Sequence, residues 1–305
     1  MARWLAHKNT YAAAGLGIII SMSSPKVWFI TGASSGFGRA LTELALKNGD
    51  KVAATLRKPE AISDLTAQYA IDTVLPIQLD VTKHEQVKAA FDRALAHFGR
   101  IDVVFNNAGV LVLSEVETMV EADARTIFEV NFWGAAFVTQ EALRVFRDEN
   151  KPQGGRLLQV SSGAGVVGIP GNGFYAASKH ALEGLSESGA KELDPAWNIK
   201  ITLVEFGAFR TKMLADNVKL LPHHPAYDNK ALAGYQIRKY IRGTLVKGDA
   251  EKAIGQVLKL SRLEDPPLRL MLGKDGFSMV RDKLKGYSGE LDKYEAWSAD
   301  LDVEE

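Results

Sequence analysis

Val27-Trp28-Phe29-Ile30-Thr31-Gly32-Ala33-Ser34-Ser35-Gly36-Phe37-Gly38 decides the fold: a short apolar run breaks into glycines, and a helix-forming stretch follows at once. Gly32, Gly36 and Gly38 let the backbone turn tightly and approach an anion. The N-terminus of the helix that follows offers unpaired N–H groups and the positive end of a dipole. Strand, glycine turn and helix in this order build a phosphate cradle, although a turn of this kind also occurs as a purely structural device.

On both sides of the turn the same alternation repeats. Strand patterns fall at Val27 to Thr31, Lys51 to Leu56, Val74 to Leu79, Val103 to Phe105, Arg156 to Ser161, Ile199 to Glu205 and Leu268 to Leu272. Helical patterns lie between them, at 36 to 48, 83 to 98, 121 to 149, 173 to 193 and 249 to 261. Strands alternating with amphipathic helices indicate βαβ units, and near-continuous apolar strands indicate a sheet covered on both faces. The expected fold is α/β: a Rossmann-type, doubly wound parallel sheet of seven strands, in a single domain over residues 25–305. Between Arg210 and Tyr240 the alternation fails amid Pro222, His223, His224 and Pro225, so a lid is expected at about 210–240.

Composition narrows the function. Lys plus Arg and Asp plus Glu both number 37 in 305 residues, so no net field draws the chain to nucleic acid, and a small neutral ligand suits the balance. Without cysteine there are no disulfides, thiolate nucleophiles or cysteine zinc sites. Residues 1–24 differ from the rest, with Arg3, His7 and Lys8 preceding an apolar run from Tyr11 to Ile20 and no acidic residue. Three readings stand: a dispensable extension with Met22 as the natural start, a membrane or secretory signal, and a mitochondrial presequence. The apolar run is about half the roughly 20 residues of a membrane-spanning helix. The expected location is cytoplasmic, with membrane contact only if this segment is an anchor.

The second strand pattern ends in Thr55-Leu56-Arg57-Lys58. A carboxylate there would accept ribose hydroxyls and repel a 2'-phosphate. Arg57 instead offers a charged fork suited to phosphate, with Ser34 or Ser35 adding a hydroxyl donor, and the expected cofactor is NADP(H). The plainer alternative is that Arg57 and Lys58 are solvated loop charges. Farther on, Tyr175 and Lys179 are spaced i, i+4 and share a helix face. A phenol titrates near 10, and an adjacent ammonium lowers that by roughly 1–3 units, toward the range useful for acid-base catalysis. Taken alone, such a pair is more commonly an exposed amphipathic helix face.

The Thr-Gly-x-x-x-Gly-x-Gly spacing of the turn resembles the short-chain dehydrogenase/reductase family. So do Asp80-Val81, Asn106-Asn107-Ala108-Gly109, Asn131 in Val130-Asn131-Phe132-Trp133-Gly134, Ser161-Ser162 and Tyr175-Ala176-Ala177-Ser178-Lys179. The resemblance covers about residues 26–275. Within it, the Thr55-Leu56-Arg57 segment and the glycine turn look most like the NADP-using 17β-hydroxysteroid dehydrogenases and carbonyl reductases.

That resemblance implies roles. Tyr175 protonates the carbonyl oxygen and Lys179 also holds the nicotinamide ribose. Ser162, thirteen positions before Tyr175, hydrogen-bonds the substrate oxygen, and Asn131 supports a water-linked proton path to Lys179. Gly32, Ser34, Ser35, Gly36, Phe37 and Gly38 surround the cofactor phosphates. Asp80 and Val81 reach the adenine, and Asn107, Ala108 and Gly109 pass beneath its ribose. Gly207, Phe209 and Thr211 match positions that bind the nicotinamide carboxamide, although Phe206 stands where the family usually has proline.

The substrate is expected beside Leu111, Val112, Gly163, Ala164, Phe174 and the segment after Thr211, as an apolar ketone, aldehyde or secondary alcohol. His223 and His224 lack the ligand cluster of a metal site and read as lid surface, so no metal is expected. Family members pair through helices equivalent to 121–149 and 173–193, which implies a homodimer or homotetramer. The rival class is a non-catalytic NADP-binding regulatory protein of the same fold, which would be expected to have lost the tyrosine or the lysine.

Overall fold

The computed structural model describes residues 24–215, 217–242 and 246–303. The readings offered for residues 1–24 lie outside them, apart from Ser24. The strands in chain order are β1 (Val27–Thr31), β2 (Lys51–Leu56), β3 (Val74–Gln78), β4 (Val103–Asn106), β5 (Val112–Leu113), β6 (Gly155–Ser162), β7 (Ile199–Phe206), β8 (Lys219–Leu220) and β9 (Arg269–Leu272). Seven of them form one parallel sheet in the order β3-β2-β1-β4-β6-β7-β9, while β5 and β8 make a separate two-stranded ribbon. The fold is the expected Rossmann-type α/β sheet in one domain. Each of the seven expected strands is present to within a residue or two.

Side-chain alternation along the strands sorts the core into two layers. On β1, Trp28 and Ile30 face one side, where they pack with Leu41 and Ala45 of α1 (Gly36–Lys47), Leu65 of α2 (Ser63–Gln68), and Ile254 and Val257 from further along the chain. Phe29, between them, points the other way and stacks on Phe91 of α3 (His84–Phe98) at 4.0 Å. That second layer also takes in Val138 and Ala142. Both faces are thus dry, which is why the strands are near-continuously apolar.

The helical stretch at 121–149 is one run in four parts. α4 (Glu121–Phe128) and α5 (Ala135–Arg144) are each followed by a π-helical turn, at Glu129–Gly134 and Val145–Glu149. Asn131 lies in the first of these, a geometry that recurs at functional sites because it turns one residue out of helical phase. α6 (Gly173–Glu192) carries Tyr175 and Lys179. The expected lid is not a bare loop. It contains α7 (Lys212–Ala215), β8 and α8 (Ala233–Arg242), after which α9 (Ala250–Leu260) returns to the sheet.

Besides α7 and α8, two helices escaped the sequence reading: α2, and the long α10 (Lys274–Tyr294). In α10 two glycines, Gly286 and Gly289, dilute the helical signal. The sheet reverses its winding between β1 and β4, and ligands bind in such sheets in the crevice beyond the carboxyl ends of the strands at that point. The glycine turn leaves β1 there, opposite the end of β4.

Candidate active site

The cradle is built by crowding. Gly32 and Gly36 have φ of 68° and 55°, in the left-handed region that a side chain resists. At Gly38 a Cβ would stand 2.3 Å from the Gly32 carbonyl and 2.7 Å from Asn107 Nδ2. Helix α1 starts at Gly36 with no acidic residue in its first turn and no side-chain cap from Ser35. Ser34 is exposed and Ser35 half-buried. These features suit a dinucleotide diphosphate: backbone N–H donors, room for close approach, and no competing carboxylate.

Asn107 and Ala108, expected beneath the ribose, hold the turn from behind. Both of their N–H groups donate to the Thr31 hydroxyl, at 2.8 and 2.9 Å, and Asn107 Nδ2 donates to the Thr31 carbonyl at 2.8 Å. Gly109 lies against Asn131, and a Cβ there would come within 3.3 Å of Asn131 Oδ1. Arg57 is exposed at the end of β2, beside the turn, since the Ala33 N–H donates to the Thr55 carbonyl at 3.0 Å. Asp80 takes two hydrogen bonds at Oδ1, from the N–H and hydroxyl of Thr82. Val81 is buried against Gly134 of the first π turn.

Ser162, Tyr175 and Lys179 meet at the carboxyl edge of the sheet. The Tyr175 hydroxyl lies near enough to Ser162 for the serine hydroxyl to act on its titration. Ser162 Oγ donates to the Phe206 carbonyl and accepts from the Ala164 N–H, both at 3.2 Å. Lys179 is buried, its Nζ donating to the Val160 carbonyl at 2.8 Å. Asn131, fully buried, holds Val110 through two hydrogen bonds of 2.8 and 3.0 Å, and donates to Ser178 Oγ at 3.2 Å. Ser178 Oγ in turn donates to the Tyr175 carbonyl at 2.7 Å. Asn131 therefore reaches Tyr175 through Ser178, a link that spacing does not reveal.

The electrostatics correct one expectation. Burial pushes the Tyr175 phenol up to about 12, with the Ser162 hydroxyl acting in the opposite direction. The Lys179 ammonium does not lower it, because that group sits 5.8 Å from the ring centroid and bonds to a backbone carbonyl. Burial brings Lys179 itself down to about 8, against an upward pull from Glu183 one turn on. Behind them, Glu205 of β7 is raised to about 7, by burial and then by Glu183, against the pull of Arg269. These two carboxyls and Arg269 belong to three separate elements and were not singled out from sequence.

The loop after β7, where Phe206 stands in place of the family's usual proline, is held by side chains from elsewhere in the chain. Asp275, in the first turn of α10, accepts from the Ala208 N–H at 2.8 Å, and its carboxylate stands where a Cβ on Gly207 would be. Phe206 stacks on Phe37 of the glycine turn at 4.0 Å, and Phe209 meets both rings edge-on at 5.7 and 5.8 Å. Phe37 and Phe209 are thus parts of one aromatic cluster. Thr211 lies across from Gly36, with its Cβ 3.7 Å from where a Gly36 Cβ would be.

His223 is not free lid surface. Its Nδ1 is 2.9 Å from Glu115 Oε1, and Arg238 holds the same carboxylate through Nε and Nη2 at 3.2 and 3.0 Å. Glu115 is 6% exposed, and Arg238 also donates to the Leu221 carbonyl at 2.9 Å. This cluster ties the 210–240 segment to Glu115, beside an apolar layer of Val112, Ile127 and Leu221 against which Phe174 packs. Leu111, Gly163 and Ala164 are buried. His224 only caps a short turn, and among the described residues no group of three metal-ligating side chains gathers. No described helix is long and apolar enough to cross a membrane.

Known proteins resemble this chain in sequence and fold. The short chain dehydrogenase family matches residues 26–220. An uncharacterised oxidoreductase of Schizosaccharomyces pombe is 37% identical over 89% of this chain and 90% of its own. An oxidoreductase of Penicillium decumbens is 36% identical over 92% of this chain and 94% of its own. Among solved structures, a short-chain dehydrogenase from Streptomyces avermitilis superposes with a TM-score of 0.83 at 37% identity, covering 92% of this chain and 99% of that one.

Proposed function

The chain belongs to the short-chain dehydrogenase family, and from that premise we propose that it is an NADP(H)-dependent oxidoreductase interconverting an apolar ketone or aldehyde and the matching alcohol. The observation that carries this is the meeting of Ser162, Tyr175 and a buried Lys179 at the sheet edge onto which the glycine cradle opens. Retention of both Tyr175 and Lys179 favours catalysis over a purely regulatory role.

A nicotinamide dinucleotide held by Gly32, Gly36, Gly38 and the N-terminus of α1 supplies the hydride. In the reductive direction Tyr175 Oη gives its proton to the substrate oxygen, and a phenol held near 12 is fully protonated for that step at neutral pH. Ser162 Oγ hydrogen-bonds the same oxygen and holds it against Tyr175. Lys179, with Nζ held on the Val160 carbonyl, would grip the nicotinamide ribose beside the phenol. Asn131 positions Tyr175 through Ser178 rather than touching the reacting atoms. Preference for the 2'-phosphate rests on the exposed Arg57 guanidinium and on the lack of a carboxylate at the end of β2. The apolar residues under the lid favour a hydrophobic substrate.

NADPH oxidation against a panel of aliphatic, aromatic and polycyclic ketones and aldehydes tests the reading. Tyr175→Phe removes turnover while nucleotide binding stays measurable, and Arg57→Ala raises KM for NADPH far more than for NADH. Near-normal turnover in Tyr175→Phe refutes the catalytic assignment, and equal use of the two nucleotides by the wild type refutes the choice of NADP(H).

A further inference from the structure

Helix α10 leaves the body of the protein. It packs through its first turns, where Gly276 is buried, Met279 and Val280 are half-buried, and the methyl of Met279 lies 3.5 Å from where a Gly163 Cβ would be. Every residue from Arg281 to Val303 is exposed. Yet the helix is not polar all round. Phe277, Val280, Leu284, Tyr287, Leu291 and Tyr294 recur at intervals of three and four, the a and d positions of a heptad repeat. Of these, Phe277, Leu284, Tyr287, Leu291 and Tyr294 are between 44% and 58% exposed. A helix that carries two interior glycines, at about 1 kcal/mol each, and owes its stability to packing of an apolar stripe requires something against that stripe.

We propose that this seam pairs antiparallel with α10 of a second copy of the chain. The charges select both the partner and its direction. Residues 274–285 carry four cations and two anions, whereas residues 286–303 carry one cation and five anions. An antiparallel pair lays each basic half on an acidic half. Setting Phe277 opposite Tyr294, Val280 opposite Leu291 and Leu284 opposite Tyr287 places Lys283, which in the single chain donates to the Val166 carbonyl and must exchange that bond, beside Glu290 of the other copy, twice by symmetry. A parallel, in-register pair instead brings Glu290 against Glu295, also twice, and is repelled. The acidic outer half likewise disfavours an anionic lipid surface, which attracts amphipathic helices through lysine and arginine.

The area suffices. At roughly 200 Å² for a large apolar side chain, six of them half-exposed offer about 600 Å² per copy and about 1,200 Å² for the pair, within the range of specific interfaces.

Sedimentation of the full-length chain decides the matter. The wild type sediments as a dimer or a larger even assembly, and Leu284→Asp with Leu291→Asp halves its mass. Because those changes could also melt the helix, charge reversal supplies the second arm. Lys283→Glu or Glu290→Lys alone weakens self-association about fivefold or more, and the two together restore it to within about threefold of wild type. A monomeric wild type, an assembly indifferent to the leucine changes, or a double reversal no tighter than either single one overturns the proposal. So does a monomer that binds vesicles of phosphatidylcholine and phosphatidylserine through this helix.

Discussion

Replacing Arg238 by methionine keeps the length of the side chain on α8 but removes the guanidinium that closes the lid. In the wild type that group donates to both Glu115 oxygens and to the Leu221 carbonyl, within a site where Glu115 is 6% exposed. Breaking a buried ion pair from one side costs about 3–5 kcal/mol, because the remaining charge stays buried without its partner. His223 still meets Glu115 Oε1 at 2.9 Å, which sets the expected loss at about 3 kcal/mol, the low end of that range. At 1.4 kcal/mol per tenfold, the lid's opening equilibrium then rises about 100-fold. Amide hydrogen exchange followed by mass spectrometry reads this directly: peptides spanning 219–240 exchange about 100-fold faster, while those from β1, β4 and β6 keep their protection.

A partner variant sharpens the test. Glu115→Gln added to Arg238→Met removes the orphaned charge, so the double variant exchanges more slowly than Arg238→Met alone. Acid provides a third arm. Burial alone would raise the Glu115 carboxyl, but a backbone hydrogen bond in its own turn and then Arg238 outweigh this and hold it below the usual carboxylate range. Its contribution is therefore complete above the unfolded value and is lost as pH falls through the depressed folded one. Exchange of the wild-type lid rises in acid toward that of the variant. If Arg238→Met leaves 219–240 as protected as before, or the double variant exchanges as fast as the single one, the latch does not hold the lid.

Gly38→Ala puts a Cβ 2.3 Å from the Gly32 carbonyl, an overpacking that costs about 1–3 kcal/mol; the midpoint of thermal unfolding falls by several degrees and NADPH protection in the same melt is lost. Asp275→Ala leaves the Ala208 N–H without its acceptor and frees the loop after β7; kcat falls about tenfold while unfolding shifts by about 1 kcal/mol, and equal kcat would show that the loop needs no anchor. Glu205, raised to about 7, binds a proton between its unfolded value and 7 that the unfolded chain does not, so its contribution to stability declines as pH rises across that window. Glu205→Gln accordingly stabilises the protein at pH 8 relative to pH 5 by about 1 kcal/mol, and melts in which this difference is absent or reversed would refute the assignment.

The seven strands, the helices that join most of them, the glycine turn and the shared helix face of Tyr175 and Lys179 were legible in the chain because each depends on local pattern or on fixed spacing, whereas Ser162 and the proposed roles came only with the family resemblance. A strand buried on both faces must be apolar throughout, a turn that admits a phosphate must be glycine, and two side chains four apart on α6 must share a face. The lid and α10 were less legible. Glu115 and Arg238 stand 123 positions apart, and nothing local marks either as the other's partner.

Sequence alone therefore determined the fold and its glycine turn, and brought Ser162, Tyr175 and Lys179 forward as the candidate catalytic residues. Only the tertiary structure decided that the phenol is pushed up rather than down, that Asp275 and three aromatic rings take the place of a proline, and that His223 belongs to a latch. The reason is physical. Periodicity and spacing are properties of neighbours along the chain, whereas a pKa, a buried ion pair and a loop anchor are set by what lies across space from them.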